Sequence, residues 1–246
     1  MWDVLMELPD LYVFWTGSNP IPAARKEALL SMSNSGLSLR LISSENLNDY
    51  IHPSNIHPAY KYLNLAHRAD YLRCYFMHHF GGAYSDLKAI SHSWVPAIET
   101  MNSCPSCLAL GYTEISRHAV ANLYQNSVQL KNPIWRQRYD YIRWRWLQIN
   151  YRRVIGNGAF VFKPNTELTN RWWSDLNCRL DFLLKYLEDC PATEPKERRG
   201  HIYDGRVSNY PVPWSYILGD ILQPLILKYS SRVIKDLPLP NFKNYQ

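Results

Sequence analysis

Four charged side chains at regular spacing stand in the segment Ala66–Ile90, AHRADYLRCYFMHHFGGAYSDLKAI. Asp70 and Arg73 are three residues apart, so on a helix they share one face. Asp86 and Lys88 are two residues apart, so on a strand they point to the same side. Carboxylates and cations that meet at one place can hold a polar ligand and neutralise charge that develops during a reaction.

The elements that must position these side chains are a helix, a glycine turn and a short strand. Apolar side chains recur with helical spacing before the turn, at Ala69, Leu72, Tyr75, Phe76, His79 and Phe80. Gly81-Gly82 predicts the end of this helix, because glycine readily adopts the positive φ of a C-terminal cap. The alternation from Ala83 to Lys88 then predicts a strand.

The same segment resembles the signature of GT-A glycosyltransferases of the capsular-polysaccharide, DXD-sugar-binding and large clostridial toxin type. Its matching residues are, in order, Ala69-Asp70, Arg73, Gly81-Gly82, Tyr84 and Asp86. The family pattern ends in a second aspartate, where this chain has Lys88. The resemblance covers this segment and the first strand.

Strand and helix patterns alternate in the first third of the chain, which predicts an α/β fold. The resemblance implies a GT-A-like, Rossmann-type mixed sheet flanked by helices, in a single domain over residues 1–246. It also implies a nucleotide-binding half at about residues 8–100 and an acceptor and sugar half at about residues 101–246.

Two further segments are candidates for donor binding. Leu11–Trp15 reads as a buried strand, and first strands of open α/β sheets end at the ligand crevice. The resemblance implies that Trp15, Thr16 and Gly17 meet the nucleotide, although Trp15 also fits as a core aromatic. Farther along, the resemblance implies that Asn157-Gly158, before a strong strand, lines the donor-sugar pocket; an ordinary turn is the alternative.

The roles of the signature residues also come from the resemblance. It implies that Asp70 and Arg73 bind hydroxyl groups of the donor sugar and that Tyr84 lies beside the diphosphate. Asp86 would contact ribose or sugar, and it would be the metal ligand if a metal is used.

Lys88 changes the expected chemistry, because a protonated lysine repels Mn²⁺ or Mg²⁺. It can instead supply positive charge to the leaving diphosphate, which predicts metal-independent transfer with Asp86 and Lys88 as catalytic residues. Arginines of a later charged segment are candidate helpers, namely Arg198, Arg199 and Arg206. Three alternatives stay open: Asp86 holds a metal, the protein is a non-catalytic relative, or Lys88 forms a structural ion pair with Asp70 or Asp86.

Asp220 is the third candidate catalytic residue, because it lies inside an apolar helical segment. A capping or hydrogen-bonded structural group is the other interpretation. The resemblance implies transfer with retention of configuration. An inverting enzyme would need a base, and Asp220 and Glu114 are then the first candidates.

The formal net charge is +6 and the sequence pI is about 9.0, which favours an anionic ligand or surface. A nucleotide sugar, a lipid leaflet and nucleic acid all fit that charge. The Trp-, Tyr- and Arg-rich run from Trp135 to Arg153 is interpreted as an amphipathic helix with solvated arginines. A nucleic-acid- or membrane-facing surface is the alternative.

The chain has five cysteines, an odd and sparse set that suits a reducing cytosol. Cys104 and Cys107 have CxxC spacing without a second CxxC, so plain thiols are favoured over a metal or redox site. The acidic start of the chain, without a basic region, predicts no signal peptide. No run of about 18 apolar residues predicts a membrane span.

Together these features predict a cytoplasmic glycosyltransferase, peripheral at the inner face of the membrane. It would move sugar from a UDP- or GDP-sugar to a saccharide or glycolipid acceptor of a cell-surface polysaccharide or lipopolysaccharide. An anionic membrane surface is a further candidate partner, and nucleic acid is not expected. The alternatives are a catalytically inactive, glycosyltransferase-like binding protein and a basic nucleic-acid-binding protein.

Overall fold

A computed structural model describes residues 8–242. Six strands form one sheet: β1 (Asp10–Trp15), β2 (Ser38–Ser43), β3 (Gly82–Ser85), β4 (Ala109–Thr113), β5 (Ile155–Phe162) and β8 (Val233–Ile234). A separate hairpin pairs β6 (Ile202–Tyr203) with β7 (Arg206–Val207). The α-helices are α1 (Ala23–Ser31), α2 (Leu47–Tyr50), α3 (Leu65–His79), α4 (Val95–Asn102), α5 (Leu123–Gln129), α6 (Ile134–Ile149), α7 (Glu167–Asp189) and α8 (Gly219–Lys228).

The sheet is mixed, with strand order β2-β1-β3-β5-β4-β8. β1 lies parallel to β2 and β3, whereas β5 runs antiparallel to both β3 and β4. The predicted α/β class with a mixed sheet and flanking helices is therefore confirmed. The predicted division at about residue 100 stays a prediction.

Both faces of this sheet are covered by apolar side chains, and successive residues of β3 serve opposite faces. Tyr84 joins the core that contains Phe76 of α3 and Trp172 of α7. Ala83 joins the core that contains Ile98 of α4. This alternation follows from the two-residue period of a strand. The residues that follow β3 therefore lie at the carboxyl end of a central strand whose sheet is packed on both faces.

The helix before β3 has defined ends. Asn64 caps α3, because its side-chain oxygen accepts a hydrogen bond from the His67 N–H at 2.7 Å. Gly81 and Gly82 have φ angles of +69° and +96° after the last helical turn. The predicted glycine stop is confirmed, since both residues occupy the left-handed region that favours glycine.

The strand after the glycine turn is shorter than the alternation predicts. β3 ends at Ser85, and the Lys88 N–H donates a hydrogen bond to the Asp86 carbonyl oxygen at 2.6 Å. Residues 86–88 therefore leave the sheet in a tight turn, which redirects the Lys88 side chain. The prediction of a strand up to Lys88 is wrong for this reason.

The acidic start of the chain, on which the signal-peptide prediction depends, includes residues 1–7, which lie outside the described part. Within residues 8–242, no helix has both the length and the apolar character needed to cross a bilayer. The described cysteines carry free thiols.

Candidate functional site

The carboxylate of Asp86 stands at the centre of a charged cluster directly after β3. Its Oδ1 accepts hydrogen bonds from Arg73 Nη2 at 2.8 Å and from the Tyr84 hydroxyl at 2.6 Å. Its Oδ2 lies 3.3 Å from the Lys88 ammonium. We call Asp70, Arg73, Tyr84, Asp86 and Lys88 the Asp86 cluster.

Arg73 connects the helix to the two strands at this cluster. Its Nη1 lies 3.4 Å from Asp70 Oδ1, one turn back on α3, and donates a hydrogen bond to the Asn157 carbonyl oxygen of β5 at 3.3 Å. Its guanidinium also lies 4.4 Å from the centre of the Tyr84 ring. One guanidinium thus fixes α3, β3 and β5 relative to one another.

The two carboxylates of the cluster differ in protonation. Burial raises the pKa of Asp86, but Arg73, Lys88 and the Tyr84 hydroxyl outweigh burial and hold this pKa below its usual range. Burial raises the pKa of Asp70 to about 7; Arg73 opposes this shift, and the charge of Asp86 adds to it. Asp86 is therefore ionised at neutral pH, while Asp70 titrates near neutrality.

Lys88 is a buried cation beside Asp86. Burial lowers the pKa of its ammonium, and the ion pair with Asp86 acts in the opposite direction. The ammonium also lies 3.6 Å from the centre of the Phe242 ring, a cation–π distance. Lys88 and Asp86 therefore form the ion pair that one of the sequence-based alternatives predicts.

The start of β5 faces the cluster, as the donor-binding prediction requires. Ser85 pairs with Ala159 across the antiparallel strands, and the Asp86 N–H donates a hydrogen bond to the Gly158 carbonyl oxygen at 2.7 Å. A Cβ added at Gly158 would lie 3.2 Å from Asp86 Oδ2 and 3.3 Å from Lys88 Nζ. A larger residue at this position would therefore push the two charged side chains away by a few tenths of an ångström.

Tyr112, a β4 residue next to this glycine, also belongs to the site, although the sequence did not predict it. Its hydroxyl accepts a hydrogen bond from the Gly158 N–H at 3.3 Å. Burial raises the pKa of this hydroxyl, and the charge of Glu114 raises it further. Nothing in the spacing of Tyr112 signals the contact, because it depends on the pairing of β4 with β5.

Two other contacts that the sequence did not predict reach the segment that follows Asp86. Arg25 of α1 donates a hydrogen bond to the Leu87 carbonyl oxygen at 2.6 Å. The Asn241 N–H donates to the Ala89 carbonyl oxygen at 2.9 Å, and this pairing brings the neighbouring Phe242 to Lys88. Residues 241 and 242 thus pack on the candidate site.

The predicted nucleotide residues of the first strand lie at the same sheet edge. Leu11 pairs with Ala83 in parallel register, so β1 and β3 end on the same side. Trp15 Nε1 donates a hydrogen bond to the Asn19 carbonyl oxygen at 2.9 Å, which closes the turn that contains Thr16 and Gly17. The turn lies at this side of the sheet because it directly follows β1. Among the described residues, no hydrogen bond joins Trp15, Thr16 or Gly17 to the Asp86 carboxylate.

Asp220 belongs to a different cluster. Asn126 Nδ2 lies 2.9 Å from both of its carboxylate oxygens, and the Ser215 hydroxyl donates a hydrogen bond to Oδ1 at 2.8 Å. Burial raises the pKa of Asp220, whereas the charge of Arg179 and the hydrogen bonds from Asn126 and Ser215 oppose this shift. We call Asn126, Ser215 and Asp220 the Asp220 cluster. Its neutral hydrogen-bond donors favour the structural interpretation over the catalytic one.

Glu114, the other candidate base, has partners of its own. Its Oε2 accepts a hydrogen bond from Gln223 Nε2 at 3.3 Å, and its Oε1 accepts one from the Ile115 N–H at 2.8 Å. Burial raises the pKa of Glu114, whereas the Ile115 N–H and the charge of Lys88 oppose this shift. The charge of Lys88 therefore acts on Glu114 at a distance. The hydrogen-bond partners of Glu114 lie outside the Asp86 cluster.

The candidate arginines of the later segment make no direct contact with the Asp86 cluster among the described residues. The Arg198 guanidinium lies 4.1 Å from the centre of a Trp214 ring. Across residues 8–242, no hydrogen bond or ion pair joins Arg198, Arg199 or Arg206 to the Asp86 cluster. Positive charge at the site comes from Arg73 and Lys88 instead.

The residues around Asp86 do not fit a divalent metal. Both carboxylate oxygens already contact cationic groups, at 2.8 Å from Arg73 and 3.3 Å from Lys88. A hard cation needs several oxygen ligands, and neighbouring cations repel it. In the described part of the chain, no group of three His, Cys, Asp or Glu side chains is arranged to hold a metal.

Two cavities of the described structure lie away from the Asp86 cluster. One of about 930 Å³ lies between α6, α7 and α8, and one of about 370 Å³ borders Asp220. The side chains of Asp70, Arg73 and Asp86 keep 12–13% exposure. A ligand of the cluster must therefore approach through this partly exposed surface.

Comparisons with protein-family models, curated proteins and solved structures give no significant match.

Proposed function

We propose that the protein is a GT-A-like glycosyltransferase that uses a UDP- or GDP-sugar as donor. The acceptor is a saccharide or glycolipid of a cell-surface polysaccharide or lipopolysaccharide, met at the cytoplasmic face of an anionic membrane. The observation that carries the proposal is the convergence of Asp70, Arg73, Tyr84, Asp86 and Lys88 at one sheet edge.

Glycosyl transfer breaks the bond between the anomeric carbon and a diphosphate oxygen, and the diphosphate leaves with the electron pair. A bond forms between the anomeric carbon and the acceptor hydroxyl oxygen, whose proton passes to the departing diphosphate. Arg73 and Lys88 supply the positive charge that stabilises this leaving group. Two unit charges about 4 Å apart attract by roughly 4 kcal/mol at an effective dielectric constant of about 20. This is a useful part of the ~8–23 kcal/mol by which enzymes lower barriers.

Asp86 positions both cations before the donor arrives. Because Arg73 and Lys88 are each paired with its carboxylate, their charges are preorganised at the edge of β3. Asp70 and Arg73 bind the donor sugar, and Tyr84 fixes the Asp86 oxygen near the diphosphate. The reaction retains anomeric configuration, which nuclear magnetic resonance of the first-formed product measures directly.

The test is a screen of UDP- and GDP-sugars for thermal stabilisation and for donor hydrolysis, with and without EDTA. We expect a hit whose activity survives EDTA, since Arg73 and Lys88 replace the metal. Asp86→Asn should lower donor turnover by well over about tenfold. Asp175→Asn, which weakens the exposed ion pair with Arg171 on α7, is the matched control.

One observation favours a second candidate function, that of a binding protein without catalysis. Lys88 and Arg73 are already paired with Asp86, which is also the arrangement of structural charges. For such a protein, a nucleotide sugar stabilises the fold but is neither hydrolysed nor transferred. Stabilisation without turnover across the screen therefore selects the binding protein over the enzyme.

A further inference from the structure

A run of exposed apolar side chains lies on α6. Five large side chains between 51% and 70% exposed repeat there at spacings of four and three: Trp135, Tyr139, Ile142, Trp146 and Ile149. This spacing places them on one side of the helix. We call them the α6 aromatic face. A surface helix of a globular protein normally turns such a stripe toward the core, so the face needs a partner.

Arginines border the α6 aromatic face on both sides. Arg138 and Arg145 are exposed along one border. Arg136 and Arg143 lie along the other border, where they pair with the buried Asp140 at 3.0 Å and 3.3 Å. Asp140 is thus neutralised under the helix, and the outer surface of α6 carries only positive charge.

The positive charge is concentrated in this part of the sequence. Residues 115–166 contain nine Lys or Arg side chains and a single acidic one, Asp140. The rest of the chain has more acidic than basic side chains, since the whole chain has 27 basic and 21 acidic ones. An anionic surface is therefore drawn to the region of α6 and not to the molecule in general.

We propose that the α6 aromatic face docks the protein on an anionic lipid bilayer. Trp and Tyr rings settle at the boundary between headgroups and acyl chains, where an apolar body meets a polar edge. The bordering arginines contact the lipid phosphates. The 16 residues of α6 span about 24 Å, and their opposite side packs on the protein, so the helix lies in the membrane plane.

Two other occupants fit the surface less well. A second copy packed through this face would place Arg138 and Arg145 opposite like charges, and the outer surface of α6 has no acidic side chain to pair with them. Nucleic acid would use the arginines, but it would leave Ile142 and Ile149 in contact with water. A bilayer satisfies both the apolar stripe and its charged borders. The proposal does not depend on the glycosyltransferase assignment.

The experiment is cosedimentation with vesicles of phosphatidylcholine alone and of phosphatidylcholine mixed with phosphatidylglycerol. We expect the full chain to bind the anionic vesicles and to bind the neutral ones much more weakly. The double substitution Trp135→Ala and Trp146→Ala should reduce partitioning more than about tenfold. Arg138→Gln with Arg145→Gln should reduce it by about fivefold per arginine.

Two matched controls separate this face from general effects. Phe182→Ala with Tyr186→Ala removes two aromatic rings of α7 that are 55% and 56% exposed. Lys26→Gln with Lys185→Gln removes the same net charge from exposed positions elsewhere. Both control variants should keep at least half of the wild-type partitioning. Because all these side chains are exposed, their substitution leaves the fold intact, which the thermal midpoint verifies.

Three results would overturn the proposal. The first is equal binding of neutral and anionic vesicles, or no binding to either. The second is loss of binding by the control variants as large as that of the α6 variants. The third is that the α6 substitutions abolish dimer formation or oligonucleotide binding while vesicle partitioning stays unchanged, which would assign the face to a second copy or to nucleic acid.

Discussion

Asp86 and Asp220 are both buried carboxylates, but their partners differ in charge. Asp86 is held by a guanidinium, an ammonium and a phenol, and its pKa lies below the usual range. The Asp220 carboxylate accepts hydrogen bonds from an amide and a hydroxyl, and burial raises its pKa although the nearby charge of Arg179 opposes the shift. Burial alone therefore does not mark a catalytic carboxylate. Charged partners keep Asp86 ionised and bring two cations to a partly exposed surface.

The largest expected difference between the two clusters is in donor turnover. Asp86→Asn removes the charge that positions Arg73 and Lys88, so turnover should fall well over about tenfold. Asp220→Asn should change turnover less than about threefold. It should instead lower the free energy of unfolding by about 1–3 kcal/mol, because its new amide faces the Asn126 amide. Steady-state kinetics measures turnover, and urea unfolding measures stability. Equal losses of turnover in Asp86→Asn and Asp220→Asn would contradict the distinction between the two clusters.

Lys88→Met tests the positive charge at the Asp86 cluster. Methionine has a similar length but no charge, so the variant loses the ammonium that stabilises the leaving diphosphate. Turnover should therefore fall more than about tenfold and should not recover with Mn²⁺. The kinetic assay is run with EDTA and then with added Mn²⁺. Lys228→Met on α8 is the control. Complete loss of wild-type activity in EDTA, restored by Mn²⁺, would refute the role of Lys88.

Gly158→Ala tests the close approach of β5 to the Asp86 cluster. The added methyl group would lie 3.2 Å from Asp86 Oδ2 and from the Tyr112 hydroxyl. We expect a loss of about 1–3 kcal/mol in unfolding free energy and a severalfold loss of turnover. Gly200→Ala is the control, because its φ of +76° costs stability while its Cβ contacts nothing. A turnover loss common to both variants would contradict the contact.

The last expected effect concerns stability alone, as a function of pH. The pKa of Asp70 in the folded protein is about 7, above its ordinary value of 3.8. The contribution of Asp70 to folding stability is therefore fully present below pH 3.8 and is lost as the pH rises through 7. Wild type should therefore weaken relative to Asp70→Asn between about pH 4 and 7. Asp86 has the opposite sign, since its folded pKa is lowered and its contribution is lost as pH falls below about 4. Urea unfolding across this pH range measures both.

The sequence predicts the local part of the site well. The periodic stripe of α3, the glycine stop and the start of β3 involve neighbours in sequence, so spacing alone places Asp70, Arg73 and Tyr84 near Asp86. Residues 157 and 158 reach the same place because β5 pairs with β3. The family resemblance, and not any local pattern of β5, named these two residues, and their role in donor binding stays a prediction.

The missed features depend on long-range pairing. α5, β8 and the β6–β7 hairpin were absent from the prediction, because short elements lack a clear period. Tyr112 and Phe242 reach the site only through the neighbouring strand and the returning C-terminal segment. The turn at residues 86–88 is likewise set by a hydrogen bond that alternation cannot reveal.

A crystal structure with bound UDP or GDP would test the proposed site most directly. We predict that the diphosphate lies within hydrogen-bond distance of Arg73 and Lys88, at the carboxyl edge of β3 and beside Gly158. A diphosphate bound in the cavity next to Asp220, or anywhere else away from Arg73 and Lys88, would contradict the assignment.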